Sequence, residues 1–361
     1  MMSERHHSQY SASGTMKGAI HNGIRSMAVI DVPRPDVLPG TVIVKINVAG
    51  ICGSDLGSYR TVEARSGVPT GHEVSGTIVA IGEGITNLSV GERVTIDMVL
   101  GTACGTCQYC QRGFPIHCRA RTFPFGGGFA EYVRTKGIGA FPLPDSVDDN
   151  LGALVEPIAV AVHAARVMKV KPGMVGVIVG AGAIGLAALA AVTYAGSERV
   201  YVVAKHPEQV SAALDLGAAG IISMDEHEAI DAINEITGGL GADYAIETVG
   251  GTANTLRLAC QLVRPLGMLG VIGTFDRGFK AIELIDAHVK ELGIYLANCY
   301  GCIDGVHDFQ VAIDLLAQNG TKMKRLITTE LPLVDVDQAF RLAADKTSNS
   351  IKVQMRVSPK E

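Results

Sequence analysis

The chain has 361 residues and a mass of 37.8 kDa, enough for two domains of ordinary size that each bury a core of their own. Its 31 Lys and Arg against 36 Asp and Glu leave a formal charge of −5, which excludes the basic footprint of a nucleic-acid-binding protein. Eight cysteines fit a reducing compartment better than a disulfide framework, and the longest apolar run, Met174–Ala195, is broken by glycines, so no membrane span is expected and the cytoplasm is the expected address.

In chain order, Met1–Thr15 is rich in Ser and His, lacks an apolar signal region and reads as a disordered tail. From there to about residue 160, short β-type runs punctuated by Gly and Pro predict a mainly β domain; they include Thr41–Ala49, Val74–Ile81 and Arg93–Val99. Inside it stand Cys104, Cys107, Cys110 and Cys118, with two, two and seven intervening residues, which puts four thiolates on one lobe of residues 100–120. That spacing predicts a tetrahedral structural zinc site. An iron–sulfur run of the bacterial ferredoxin kind closes after three residues with Cys-Pro, whereas here Arg119 follows the last cysteine. A closed four-sulfur site does no chemistry, so the chemistry must lie elsewhere.

Residues 161–298 alternate short apolar strands with Ala-rich helical runs. The strands are predicted at Gly176–Val179, Arg199–Val203, Gly220–Ser223, Asp243–Glu247, Met268–Ile272 and Gly293–Leu296. Six such strands with helices on both faces predict a doubly wound parallel sheet of the Rossmann kind, and an α/β class for the whole chain. Residues 299–361 return to mixed helix and strand patterns.

Gly180-Ala181-Gly182-Ala183-Ile184-Gly185 follows the first of those strands and opens the helix Ala183–Ala195, the context that makes a G-x-G-x-x-G sequence a dinucleotide site. Its glycines allow the tight turn, close approach of backbone to pyrophosphate and helix–strand packing, and the helix N-terminus offers N–H groups to phosphate. Thr248 and Gly273, which end two later strands, are counted with the cofactor set. At the end of the second strand an acidic residue would accept the ribose hydroxyls of NAD, but Ala204 stands there, followed by Lys205 and His206. The small residue and the basic pair predict NADP, with NAD as the alternative.

Cys52, His72, Glu73 and Glu156 form a second set of ligand types. Each alone has a plain structural reading: a small core thiol, a hydrogen-bonded loop histidine, a carboxylate at a helix start. Their contexts are Cys52-Gly53-Ser54-Asp55, Gly71-His72-Glu73 and Glu156-Pro157, ahead of the glycine motif and together with Gly127-Gly128-Phe129-Ala130-Glu131-Tyr132. In that order they resemble the zinc-dependent medium-chain alcohol dehydrogenases, in particular the polyol (sorbitol), threonine and butanediol dehydrogenase branch, from about Met16 to the end. The resemblance implies a GroES-like catalytic domain over 16–160, rejoined by 299–361, with a catalytic zinc held by Cys52, His72 and a carboxylate. Zn²⁺ with one thiolate, neutral imidazole and one glutamate is neutral, whereas both glutamates would make it −1 and blunt its acidifying power, so Glu73 and Glu156 are expected to bind one at a time.

The resemblance further implies that Ser54 takes the proton of the alcohol and that Asp55 orients His72. The expected function is hydride transfer between a nicotinamide cofactor and a secondary alcohol or ketone, polyol-like or an amino alcohol, in a homodimer or homotetramer with two zinc ions per chain and no partner beyond small molecules. Two departures stand out. Gly57 occupies the place of a family relay histidine, and Cys299-Tyr300 replaces an Arg-Tyr pair of the polyol members. The alternatives are a zinc-containing NADPH-dependent reductase of an imine or enone, and a non-catalytic zinc- and dinucleotide-binding protein.

Overall fold

The structure is a computed structural model in which residues 13–62, 67–122, 127–276, 284–345 and 347–359 are described. It divides into two compact units, Met1–Glu156 with Ile327–Glu361, and Pro157–Leu326.

The chain opens with the antiparallel hairpin of β1 (Thr15–Gly23) and β2 (Ser26–Pro33). Then come β3 (Thr41–Gly50), α1 (Gly53–Thr61), β4 (Glu73–Ile81) and β5 (Arg93–Ile96). The cysteine lobe carries the short α2 (Gln108–Gln111) and leads to β6 (Tyr132–Lys136), β7 (Ala140–Pro142), α3 (Asp149–Gly152) and α4 (Val155–Val167). Strand and helix then alternate through β8 (Val175–Val179), α5 (Ala183–Tyr194), β9 (Arg199–Val203), α6 (Pro207–Asp215), β10 (Gly220–Ile222) and α7 (Glu226–Thr237). The same alternation continues through β11 (Ala242–Glu247), α8 (Thr255–Leu262), β12 (Val263–Val271), α9 (Leu284–Val289) and β13 (Gly293–Leu296). A small hairpin, β14 (Cys302–Ile303) and β15 (Val306–His307), precedes α10 (Asp308–Met323), and β16 (Ile327–Pro332), α11 (Val336–Ala344) and β17 (Lys352–Arg356) complete the chain.

In the first unit the sheet runs β16-β17-β3-β4-β5-β7, with β6 also paired to β3. β17 lies antiparallel to β3 through Gln354 opposite Gly50 and Met355 opposite Ala49, so the last strand of the chain completes the sheet begun by the third. β3 turns Val42, Val44 and Ile46 into one core with Ile78, Ile96, Phe129, Phe340 and Met355, while Lys45 and Asn47 between them are half-buried. The loop around Phe129 is tied in by its amide, which donates to Thr70 O at 2.8 Å.

In the second unit the sheet is parallel throughout, in the order β10-β9-β8-β11-β12-β13. Counted from β8 this is the order 3-2-1-4-5-6, and the direction of winding reverses between β8 and β11, the place where such sheets bind ligands. Five-residue β8 is buried at every position, as a central parallel strand must be. No helix among the described residues is long and apolar enough to cross a membrane.

Two expected boundaries move. Residues 1–12 of the expected tail lie outside the described residues, and Thr15 already pairs with Pro33 in β1. The chain also leaves the second unit at Leu326 and not at 298, because α10 packs on α5 and its first residue is locked to α4. Asp308, fully buried, accepts from Arg166 Nη1 at 2.6 Å and from Gly301 N at 2.8 Å, and meets His163 Nδ1 at 2.7 Å. Arg166 also donates to Val306 O at 2.9 Å, so one carboxylate and one guanidinium hold the β14–β15 hairpin to α4. Asp308→Ala leaves the half-buried Arg166 guanidinium without its counter-charge and Gly301 N without its acceptor, a loss of about 3 kcal/mol. Calorimetry should show the melting temperature lowered by roughly 6–12 °C; an unchanged melt would contradict this role.

Candidate metal and dinucleotide sites

The four lobe cysteines bring their sulfurs within 4.8 Å of one another, the one such group of three or more ligand atoms among the described residues. Cys107 and Cys110 sulfurs are 3.5 Å apart and Cys104 and Cys110 sulfurs 3.9 Å apart. A tetrahedron with zinc–sulfur bonds of ~2.3 Å has edges of about 3.8 Å, so the donors fit zinc in kind and in spacing. Backbone groups favour the thiolate form: the Cys107 amide donates to Cys104 Sγ at 3.3 Å, and it and the Thr106 donors bring the Cys104 pKa down to about 6. Burial pushes Cys110 the other way, to about 12, a cost that a bound cation removes.

The second set assembles from three places in the first unit. Cys52 precedes α1, His72 sits in the loop entering β4, and Glu156 lies in the first turn of α4. Asp55 Oδ2 accepts the Cys52 amide at 3.0 Å, and its other oxygen stands 3.8 Å from His72 Nδ1, too far for a hydrogen bond but close enough to favour the protonated ring. Burial works against a charged His72, but its hydrogen bond to Cys52 and the nearby Glu156 and Asp55 carboxylates raise its pKa well above the ordinary value. Burial also lifts Glu156 to about 7. Negative groups thus gather around one imidazole and take up protons where a cation would otherwise balance them. The donor set, one sulfur, one imidazole nitrogen and one carboxylate, suits an open zinc site.

Glu73 departs from the expectation that it would be a metal ligand or a catalytic carboxylate. It is 0% exposed, and both its oxygens accept from Lys352 Nζ at 2.7 Å. Lys352, on β17, also donates to Ile51 O at 3.0 Å. With both oxygens held by an ammonium, Glu73 is the counter-charge of Lys352, and Glu156 is left as the carboxylate available to a metal. Lys352 gives little signal in the sequence, because Ile351-Lys352-Val353-Gln354-Met355 alternates like an ordinary half-exposed strand. Ser54 is exposed in the first turn of α1, and so is Gly57, where a Cβ would meet nothing within 4 Å.

In the second unit β8 is followed by Gly180, whose φ of 102° is open to glycine and strained for other residues. A Cβ on Gly185 would overlap Gly180 O, so helix and strand approach as closely as the motif predicts. Gly182 caps α5, and the place of its missing Cβ is empty to 4 Å, room that a phosphate needs beside the helix N-terminus. Ala181, Ala183 and Ile184 complete the turn. Thr248 donates from Oγ1 to Val179 O at 2.9 Å, tying the end of β11 to the end of β8. A side chain on Gly273 would overlap Glu247 Oε2. Lys205 is exposed, and His206 caps α6. These residues lie beyond the carboxyl ends of the strands, seven of them, Gly180–Gly185 and Thr248, at the β8–β11 reversal.

Residues 38–145 match the family of alcohol dehydrogenase GroES-like domains, and residues 183–318 match the zinc-binding dehydrogenase family. A sorbitol dehydrogenase of Bacillus subtilis (strain 168) is 31% identical over 349 residues, which is 94% of this chain and 97% of that one. A dehydrogenase from Escherichia coli CFT073, solved with NADH, superposes with a TM-score of 0.83 at 26% identity, covering 96% of this chain and 100% of that chain. A zinc-binding dehydrogenase from Sinorhizobium meliloti 1021, solved with NADP, does so with a TM-score of 0.81 at 26% identity and the same coverage. The chain belongs to the zinc-dependent medium-chain alcohol dehydrogenases, in their polyol branch, and is an alcohol oxidoreductase that uses zinc and a nicotinamide cofactor.

Proposed function

We propose that the protein interconverts the secondary alcohol of a vicinal diol or amino alcohol with its ketone, using NADP, one zinc held by Cys52, His72 and Glu156, and a second zinc held by the four lobe cysteines. The observation that carries this reading is the ion pair of Glu73 with Lys352, which leaves Glu156 as the carboxylate acting on the hydrogen-bonded Cys52–His72 pair: one thiolate, one imidazole and one carboxylate are a neutral set for Zn²⁺ with a position to spare. When bound, the metal supplies the Lewis acidity that makes an alcohol oxygen acidic near neutral pH, and the nicotinamide supplies the two-electron acceptor. Asp55 holds the Cys52 amide and biases the His72 ring. Ser54 takes the substrate proton and passes it to solvent, for which the open space at Gly57 leaves room. A sorbitol dehydrogenase among the relatives supports a substrate with a second oxygen beside the reacting carbon.

A homodimer is part of this proposal. β13 is the terminal strand of its sheet, with Leu296 78% exposed and Val289, on the helix before it, 74% exposed. An apolar strand edge of that kind is stable in water when a second copy covers it. Eight cysteines without a disulfide framework support a reducing, cytoplasmic location as part of the same reading.

His72→Ala or Cys52→Ala should abolish turnover, read at 340 nm with a panel of diols, amino alcohols and ketones, while titration still shows dinucleotide binding, because the glycine turn belongs to the other unit. Retained turnover in a variant stripped of zinc would end the metal reading. For the lobe, Cys107→Ser should lower metal content by about one zinc per chain and depress thermal stability, since structural zinc binding is linked to folding; full metal content with an unchanged melt would contradict the second site.

Cofactor choice is tested at the end of β9. A charged contact to phosphate contributes about 1.5–3 kcal/mol, roughly tenfold or more in affinity. The parent should therefore show the higher kcat/KM with NADPH, and Ala204→Asp with Lys205→Ala should reverse the order. A parent that uses NADH better refutes the NADP assignment.

A further inference from the structure

Glu247, the last residue of β11, is 0% exposed. Its Oε1 accepts three hydrogen bonds, from Val249 N at 2.8 Å, Gly250 N at 2.9 Å and Thr255 Oγ1 at 2.7 Å. Its Oε2 has no hydrogen-bond partner among the described residues and occupies the space that a side chain on Gly273 would need. The backbone carbonyl of the same residue accepts from Ile272 N at 2.9 Å and Gly273 N at 3.2 Å. One residue therefore holds the loop after β11 with its side chain and the loop after β12 with its main chain. The two loops are laced further, Gly251 N to Thr274 O at 2.8 Å and Asp276 N to Gly251 O at 3.1 Å.

An unpaired buried carboxylate destabilises a fold, so this one stands where an apolar residue would be cheaper unless the loop conformation itself is needed. Doubly wound sheets consist of two halves, each binding one mononucleotide. The glycine turn after β8 belongs to the first half; the loops that Glu247 joins belong to the second.

We propose that Glu247 is a positioning residue for the nicotinamide mononucleotide half of the cofactor, setting the backbone of Thr248–Gly251 through its three-bond acceptor oxygen and, through that loop's bond to Thr274 O, the loop after β12. The inference rests on the cofactor site described above. Its sequence signal is slight, an acidic residue closing an apolar strand, and its chemistry depends on the acceptor oxygen and not on the charge.

The test is titration of the zinc-loaded full chain with NADPH and, separately, with 2′,5′-ADP, which carries the adenosine half alone. Glu247→Leu should weaken NADPH binding about tenfold or more while 2′,5′-ADP binding stays within about twofold. Glu247→Gln keeps an acceptor oxygen and should restore most NADPH affinity. If the Leu variant does not fold, Thr255→Val, which removes one of the three donors, should weaken NADPH binding severalfold and spare 2′,5′-ADP in the same way. Equal losses for both ligands, or NADPH binding unchanged in Glu247→Leu or in Thr255→Val, would overturn the proposal. A parent that binds neither ligand overturns the cofactor-site reading, and this inference with it.

Discussion

The buried bond between Lys352 and Glu73 is the constraint on which the catalytic unit depends. Removing either partner of such a pair leaves a buried charge uncompensated, at a cost of about 3–5 kcal/mol. Lys352 comes from the last strand and Glu73 from the fourth, so the pair ties the returning end of the chain to the sheet formed at its start. The same ammonium also holds Ile51 O, one residue before Cys52, while Glu73 follows His72 directly. Cys52 and His72, two of the three proposed ligands, thus each adjoin a residue held by the same cation. Because the ammonium takes both oxygens of Glu73, the proposed site leaves the charge balance of its metal to Glu156.

The dinucleotide unit is organised by sterics more than by charge. Gly180 supplies a backbone conformation, Gly185 a close helix–strand approach and Gly273 room for a carboxylate. Each of these is a missing Cβ, and each leaves main-chain groups near the carboxyl ends of the strands. The parallel sheet beneath them is rigid because its central strands are buried on both faces. The contrast between the units follows from their tasks: one must hold a concentrated charge, the other an extended polyanion along backbone amides.

Local pattern made much of this legible. The strands Arg199–Val203 and Gly293–Leu296 fall at the residues their apolar runs predict, and the glycine motif opens α5 at Ala183. The cysteine lobe was legible because all four thiols lie within fifteen residues of one another. What escaped was long-range. Lys352 lies 279 residues from Glu73, and Asp308 lies 145 from His163; neither pairing leaves a periodic trace, because a buried charge is satisfied by whatever the fold brings to it. The crossing back at Leu326 was hidden for the same reason, since α10 reads as an ordinary amphipathic helix and its packing on α5 and its buried Asp308 assign it to the second unit. The assignment of Glu73 as a ligand followed from its place beside His72, a proximity in sequence that the sheet turns into the opposite role.

The most direct test of the central claim, an open zinc site beside a closed one, is zinc K-edge absorption on the fully loaded protein. Four sulfurs at one site and one at the other predict an average of about 2.5 sulfurs per zinc at ~2.3 Å, with the rest of the shell nitrogen and oxygen at ~2.0–2.2 Å. One zinc per chain in an all-sulfur shell would contradict the account.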